Sequence, residues 1–93
     1  MSFPRTSTQS SVGQSATSVN LLPENTSRLG VTIHNDSTSN LFIILGSVAS
    51  LTSFTVRLVP NAYYELPFVY TGNIDGIWAA GGTGAARITE FTP

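Results

Sequence analysis

The chain predicts an all-β fold: a small antiparallel β-sandwich or jelly-roll-like barrel of about seven short strands, with an extended N-terminal arm. Three observations carry that expectation. Apolar and β-branched runs of four to seven residues recur about every ten residues between turn clusters. No stretch shows the 3.6-residue spacing of an amphipathic helix. The opening residues, by contrast, are mostly Ser, Thr and Gln with no acid before Glu24.

That opening stretch is the arm, residues 1–15, and the sandwich domain is expected over residues 16–93. Small polar residues bury too little apolar surface to offset the entropy of ordering, so the arm needs a partner to hold it. Phe3 and Val12 are its natural anchors.

The strands follow in order. Ala16 to Leu22 is the first, closed by Pro23-Glu24-Asn25. Leu29 to Asn35 alternates, with Leu29, Val31 and Ile33 on one face and Gly30, Thr32 and His34 on the other. Asn35 to Asn40 is a turn cluster whose short polar side chains bond their own backbone. Leu41 to Leu45 is continuously apolar and too short for a helix, which reads as a strand covered on both faces. Ser53 to Val59 alternates, with Phe54, Val56 and Leu58 inward. Pro60-Asn61-Ala62 turns the chain into Tyr63 to Leu66, which Pro67 stops. Ile74 to Ala79 carries Ile74, Gly76 and Trp78 on one side, and Gly81 to Gly84 reverses the chain into Ala86 to Phe91.

Composition narrows function. Nine of the 93 residues are charged, four Arg and five acids, with no Lys. At 10% charged, against about 25% for an average soluble domain, the surface favours association. The arginines Arg5, Arg28, Arg57 and Arg87 are dispersed, leaving no basic footprint for nucleic acid. No apolar run reaches the length of a membrane span or a signal peptide. Without Cys, and with His34 as the single histidine, neither a disulfide nor a structural zinc site is expected, and no cofactor is implied. A domain this short buries only about 60–65% of its unfolded surface, so oligomerisation or docking is the expected staple.

Catalysis finds little support. His34 has Asp36 two residues away on the same strand face, but a triad needs a nucleophile that no motif supplies. The five acids are far apart in sequence. Gly81-Gly82-Thr83-Gly84 lacks the Lys and the following helix of a phosphate loop, and reads as a hairpin connection. The aromatics are more informative. Trp78 and one of Tyr63 and Tyr64 belong in the core; the other tyrosine, with Phe68 and Tyr70 in a Pro-flanked loop, is expected to be exposed. Phe3, Arg5, Val12, Phe68 and Tyr70 are therefore the candidate assembly-interface residues, with no catalytic or metal-binding residue assigned.

A family likeness rests on Ser18 to Leu22, Asn25 to Ser37, Asn40 to Gly46, Phe54-Thr55-Val56, Tyr63 to Pro67, Tyr70 to Trp78 and Ala86 to Glu90. Across residues 16–92 this pattern resembles small β-sandwich virion proteins of tailed bacteriophages. The resemblance implies a structural protein exposed on the particle, decorating the capsid as a cement protein or belonging to the neck or tail. Its partners would be the major capsid protein or other virion proteins and further copies of itself, a trimer being favoured. Its place would be the virion, assembled in the host cytoplasm. The alternative is a receptor- or carbohydrate-binding module of a tail fibre, head fibre or neck, with Tyr63 or Tyr64, Phe68 and Tyr70 as a stacking surface.

Overall fold

Among the described residues eight strands make up the fold, and their pairing follows a single rule. The computed structural model describes residues 3–93. The strands are β1 (Thr6–Gly13), β2 (Val19–Leu22), β3 (Gly30–Ser37), β4 (Leu41–Leu45), β5 (Val56–Leu58), β6 (Tyr63–Glu65), β7 (Ile74–Trp78) and β8 (Gly84–Thr92). β1 pairs with β8, β2 with β7, β3 with β6 and β4 with β5, all antiparallel. The chain is thus one long hairpin, rolled so that alternate pairs fall into two sheets. Contacts between β3 and β8 and between β4 and β7 complete the orders β1-β8-β3-β6 and β2-β7-β4-β5. Two four-stranded antiparallel sheets packed in this way form a jelly-roll sandwich. Among the described residues no helix forms.

The strand period of two decides what each sheet buries. The first sheet turns Val31, Ile33, Ala86 and Ile88 inward, and the second answers with Leu41, Ile43, Leu58, Ile74 and Trp78. Trp78 is 1% exposed and its indole N–H donates to Ser37 Oγ at 3.0 Å. Of the adjacent tyrosines, Tyr64 packs against the core and Tyr63 is exposed.

The strand count is eight rather than about seven because the structure places the Ser/Thr-rich N-terminal segment on the edge of the first sheet. Residues Thr6 to Gly13 pair with β8 without a break, from Thr6 opposite Thr92 to Gly13 opposite Ala85. β2 is shorter than the expected first strand and carries a bulge at Leu21. β5 covers only the end of the stretch expected from Ser53. The Ser50 hydroxyl accepts the Thr52 and Ser53 amides, holding that segment in a turn. Phe54, expected inward, instead meets Phe42 edge to face at 4.8 Å on the outer side of the second sheet.

Two turns show their local chemistry plainly. Ala62 N donates to Val59 O at 2.9 Å across Pro60-Asn61, with Asn61 at φ 70°. Proline followed by a left-handed Asn is the requirement of a type II turn. Gly84, at φ 112°, begins β8 where a Cβ would run into the Asp36 carbonyl oxygen and Ser37 Cα.

Candidate functional site

Antiparallel pairing sorts the connections onto two ends of the roll. The β2–β3, β4–β5 and β6–β7 connections leave at one end, where the N-terminal segment also enters β1 beside Thr92. Of the eight large exposed apolar residues among those described, six lie on that segment or on two of these connections: Phe3, Val48, Leu51, Phe54, Phe68 and Val69. The other two, Val59 and Tyr63, flank the β5–β6 turn. Neither residues 46–55 nor residues 66–73 contain a charged side chain. Two of the three connections at this end, β4–β5 and β6–β7, are therefore uncharged and expose apolar side chains, with Phe68 at 55% and Val69 at 62% exposed. Glu24 on the β2–β3 connection and Arg5 on the entering segment are exposed charges.

Those loops are anchored from beneath by Arg28. Its side chain is 1% exposed, and its Nε donates to Glu90 Oε2 at 2.9 Å. Nη1 donates to the carbonyls of Tyr70 at 3.0 Å and Gly72 at 2.8 Å, and Nη2 to that of Pro23 at 2.6 Å. One guanidinium so ties the β2–β3 connection, the β6–β7 connection and β8 together. A planar fork of donors suits this task, which a single ammonium would not perform.

A second polar knot fixes the start of the β4–β5 connection. Asn73 Nδ2 donates to Gly46 O at 2.9 Å and to Asp75 Oδ1 at 2.8 Å. Asn20 Nδ2 reaches the same carboxylate oxygen at 3.1 Å, and Val48 N donates to Asp75 Oδ2 at 2.8 Å. Desolvation pushes the Asp75 carboxyl up, but the bonds from Val48, Asn73 and Asn20 outweigh it and hold its pKa below the ordinary value. Val48 adopts φ 59°, costly for a β-branched residue, and is 70% exposed.

The opposite end is held by Asn35, which is fully buried. Its Nδ2 donates to Leu58 O at 2.8 Å and Ser39 O at 2.9 Å, while its Oδ1 accepts from Ser37 Oγ at 2.6 Å. Among the described residues every buried side-chain nitrogen and oxygen has a partner.

The outer face of the first sheet carries a polar row. His34 stands opposite Tyr63 on β6 and Arg87 on β8. Arg87 bridges Asp36 and Ser11, both at 3.0 Å. Tyr63 Oη donates to Glu65 Oε2 at 3.2 Å; some desolvation, then the Glu65 charge and this bond, raise the phenol's pKa. Among the described residues no three His, Cys, Asp or Glu side chains gather as a metal site would need.

The sequence-derived interface residues fall into separate places. Phe3, 69% exposed, and Arg5 lead into β1, with Arg5 N donating to Thr92 O at 2.9 Å. Val12 packs against the core from β1. Phe68 stands free on the β6–β7 connection. Tyr70, two residues on, instead packs against the core and donates its hydroxyl to Asn73 O at 2.9 Å, so its ring is not presented beside Phe68. Sequence reasoning missed Arg28, Asn35 and the Asp75 knot. The available signal was an Arg and an Asn inside or beside strongly apolar strand patterns.

Compared with protein-family models, curated proteins and solved structures, the chain matches none.

Proposed function

We propose that this protein is a non-enzymatic structural component of a tailed-bacteriophage particle, a cement protein that decorates the capsid and strengthens it through contacts between subunits. The observation that carries the reading is the pair of uncharged connections, β4–β5 and β6–β7, that expose apolar side chains at one end of the roll. Phe68 and Val69 are exposed there on the connection that Arg28 anchors, Val48 on the one that Asp75 anchors, and Phe3 on the segment that leads into β1. A rigid apolar surface with few charges loses little entropy on docking and is suited to burial against another protein. The charge-poor composition and the sequence likeness support the same reading. Eight-stranded jelly rolls also serve viral shells, an analogy of fold and not of site.

The experiment is decoration of capsids lacking the protein, read as copy number by particle imaging. Wild type binds and raises the temperature of capsid disruption. Phe68→Asp/Val69→Asp, which places two charges on an exposed loop, binds at least about ten-fold more weakly because charge must be desolvated at the contact. Full occupancy by that variant refutes the reading.

The second reading, a carbohydrate- or receptor-binding module, is supported by the exposed Tyr63 ring beside Glu65 and His34 on the first sheet's outer face. Selective binding on a glycan array, abolished by Tyr63→Ala, would favour it over the cement role.

A further inference from the structure

The four sheet edges differ in a way that singles out β1. β5 and β6 are three residues each and meet across Pro60, with Pro67 two residues beyond β6. β2 is four residues, bulged at Leu21 and followed by Pro23. Short length, bulges and prolines are the devices that protect an open edge from pairing with another chain. β1 has none of them within its length, Pro4 lying two residues before it. It runs eight residues, Thr-Ser-Thr-Gln-Ser-Ser-Val-Gly, without charge, proline or bulge, and Thr6 to Ser11 are all exposed.

The hydrogen-bond phase shows which backbone groups are free. Gln14 N donates to Gly84 O in continuation of the β1–β8 register, so even-numbered residues of β1 bond β8. The N–H and C=O groups of Ser7, Gln9 and Ser11 point away from the sheet. We propose that this edge pairs with the same edge of a second copy, joining the two first sheets into one eight-stranded antiparallel sheet.

The sequence of the edge is what favours a second copy. Antiparallel pairing about Gln9 sets Ser7 opposite the partner's Ser11, so outward-facing groups meet outward-facing groups on both chains. Arg5, the only charge on the segment, then lies beside the partner's Gly13 rather than the partner's Arg5. No like charges oppose, and from Ser7 to Ser11 every facing side chain is a hydroxyl or an amide, able to form polar cross-strand pairs. The contact is independent of where the protein acts, and is measured with no particle present.

The test is sedimentation of the full chain from about 10 μM to about 1 mM, a range chosen because a single strand pair is a small interface. Wild type shifts from monomer to dimer across it. Gln9→Pro removes only an outward N–H, a position where an edge strand tolerates proline. Gln9→Lys sets two cations against each other on the symmetry axis. Both variants keep the wild-type Trp78 emission and weaken dimerisation at least about ten-fold, the scale of losing central pairing or adding like-charge repulsion. If Gln9→Pro fails to fold, Gln9→Lys decides. A wild type that stays monomeric throughout, or a dimer unaffected by Gln9→Lys, overturns the proposal. Monomeric wild type whose capsid occupancy drops on Gln9→Lys would assign the edge to a strand of another protein, and equally overturns self-pairing.

Discussion

Arg28→Met removes the cation that ties three parts of the roll while keeping an apolar stem of similar reach. The substitution leaves Glu90, whose side chain is 16% exposed, and the carbonyls of Pro23, Tyr70 and Gly72 without their donor. Breaking a buried pair by removing one partner costs about 3–5 kcal/mol. Water can reach Glu90, so the lower part of that range, about 3 kcal/mol, is expected. A 93-residue domain has on the order of 5–14 kcal/mol of stability in total, so the loss is a large fraction of it. At about 4–8 °C per kcal/mol the melting temperature falls by at least about 12 °C. Urea unfolding followed by the emission of Trp78, the single and buried tryptophan, reads the change directly. The comparison is Asp36→Ala, which breaks the exposed Arg87–Asp36 pair with side chains 53% and 51% exposed. That pair is worth about 1 kcal/mol or less and weakens with salt. If Arg28→Met costs no more than Asp36→Ala, the guanidinium does not anchor these connections and the reasoning fails.

Two further predictions follow from local geometry. Gly84→Ala forces a side chain into a φ of 112° and against the Asp36 backbone, and is expected to destabilise by about 2 kcal/mol or more; a change in urea midpoint below that of an ordinary surface substitution would contradict it. Asp75 has a lowered folded-state pKa, so its contribution is fully present above the unfolded carboxyl pKa and is lost as pH falls through the folded one. Acid titration of stability below about pH 4 should therefore be shallower for Asp75→Asn than for wild type, and identical slopes would remove Asp75 from the linkage.

The all-β class, the strand alternation and most turns are written locally. Val31 and Ile33, or Ile74 and Trp78, share a face whatever lies opposite, because a strand repeats every two residues. Pro60-Asn61 encodes its own turn for the same local reason. What only the tertiary structure decided is which residues meet across the roll. Ser, Thr and Gln in residues 6–13 read as an unpartnered arm because a polar edge strand contributes little to the core beyond Val12; its partner is a backbone 72 to 86 residues away, from the Gly13–Ala85 pair to the Thr6–Thr92 pair. Arg28 lies in a turn by sequence, yet the carbonyls of Tyr70 and Gly72 and the Glu90 carboxylate, 42 to 62 residues away, converge on it together with the nearby Pro23 carbonyl. Tyr70 lies two residues from an exposed Phe68 and still turns its ring to the core. Periodicity is a property of neighbours along the chain, whereas burial and hydrogen-bond partnership depend on residues the chain brings back from far away.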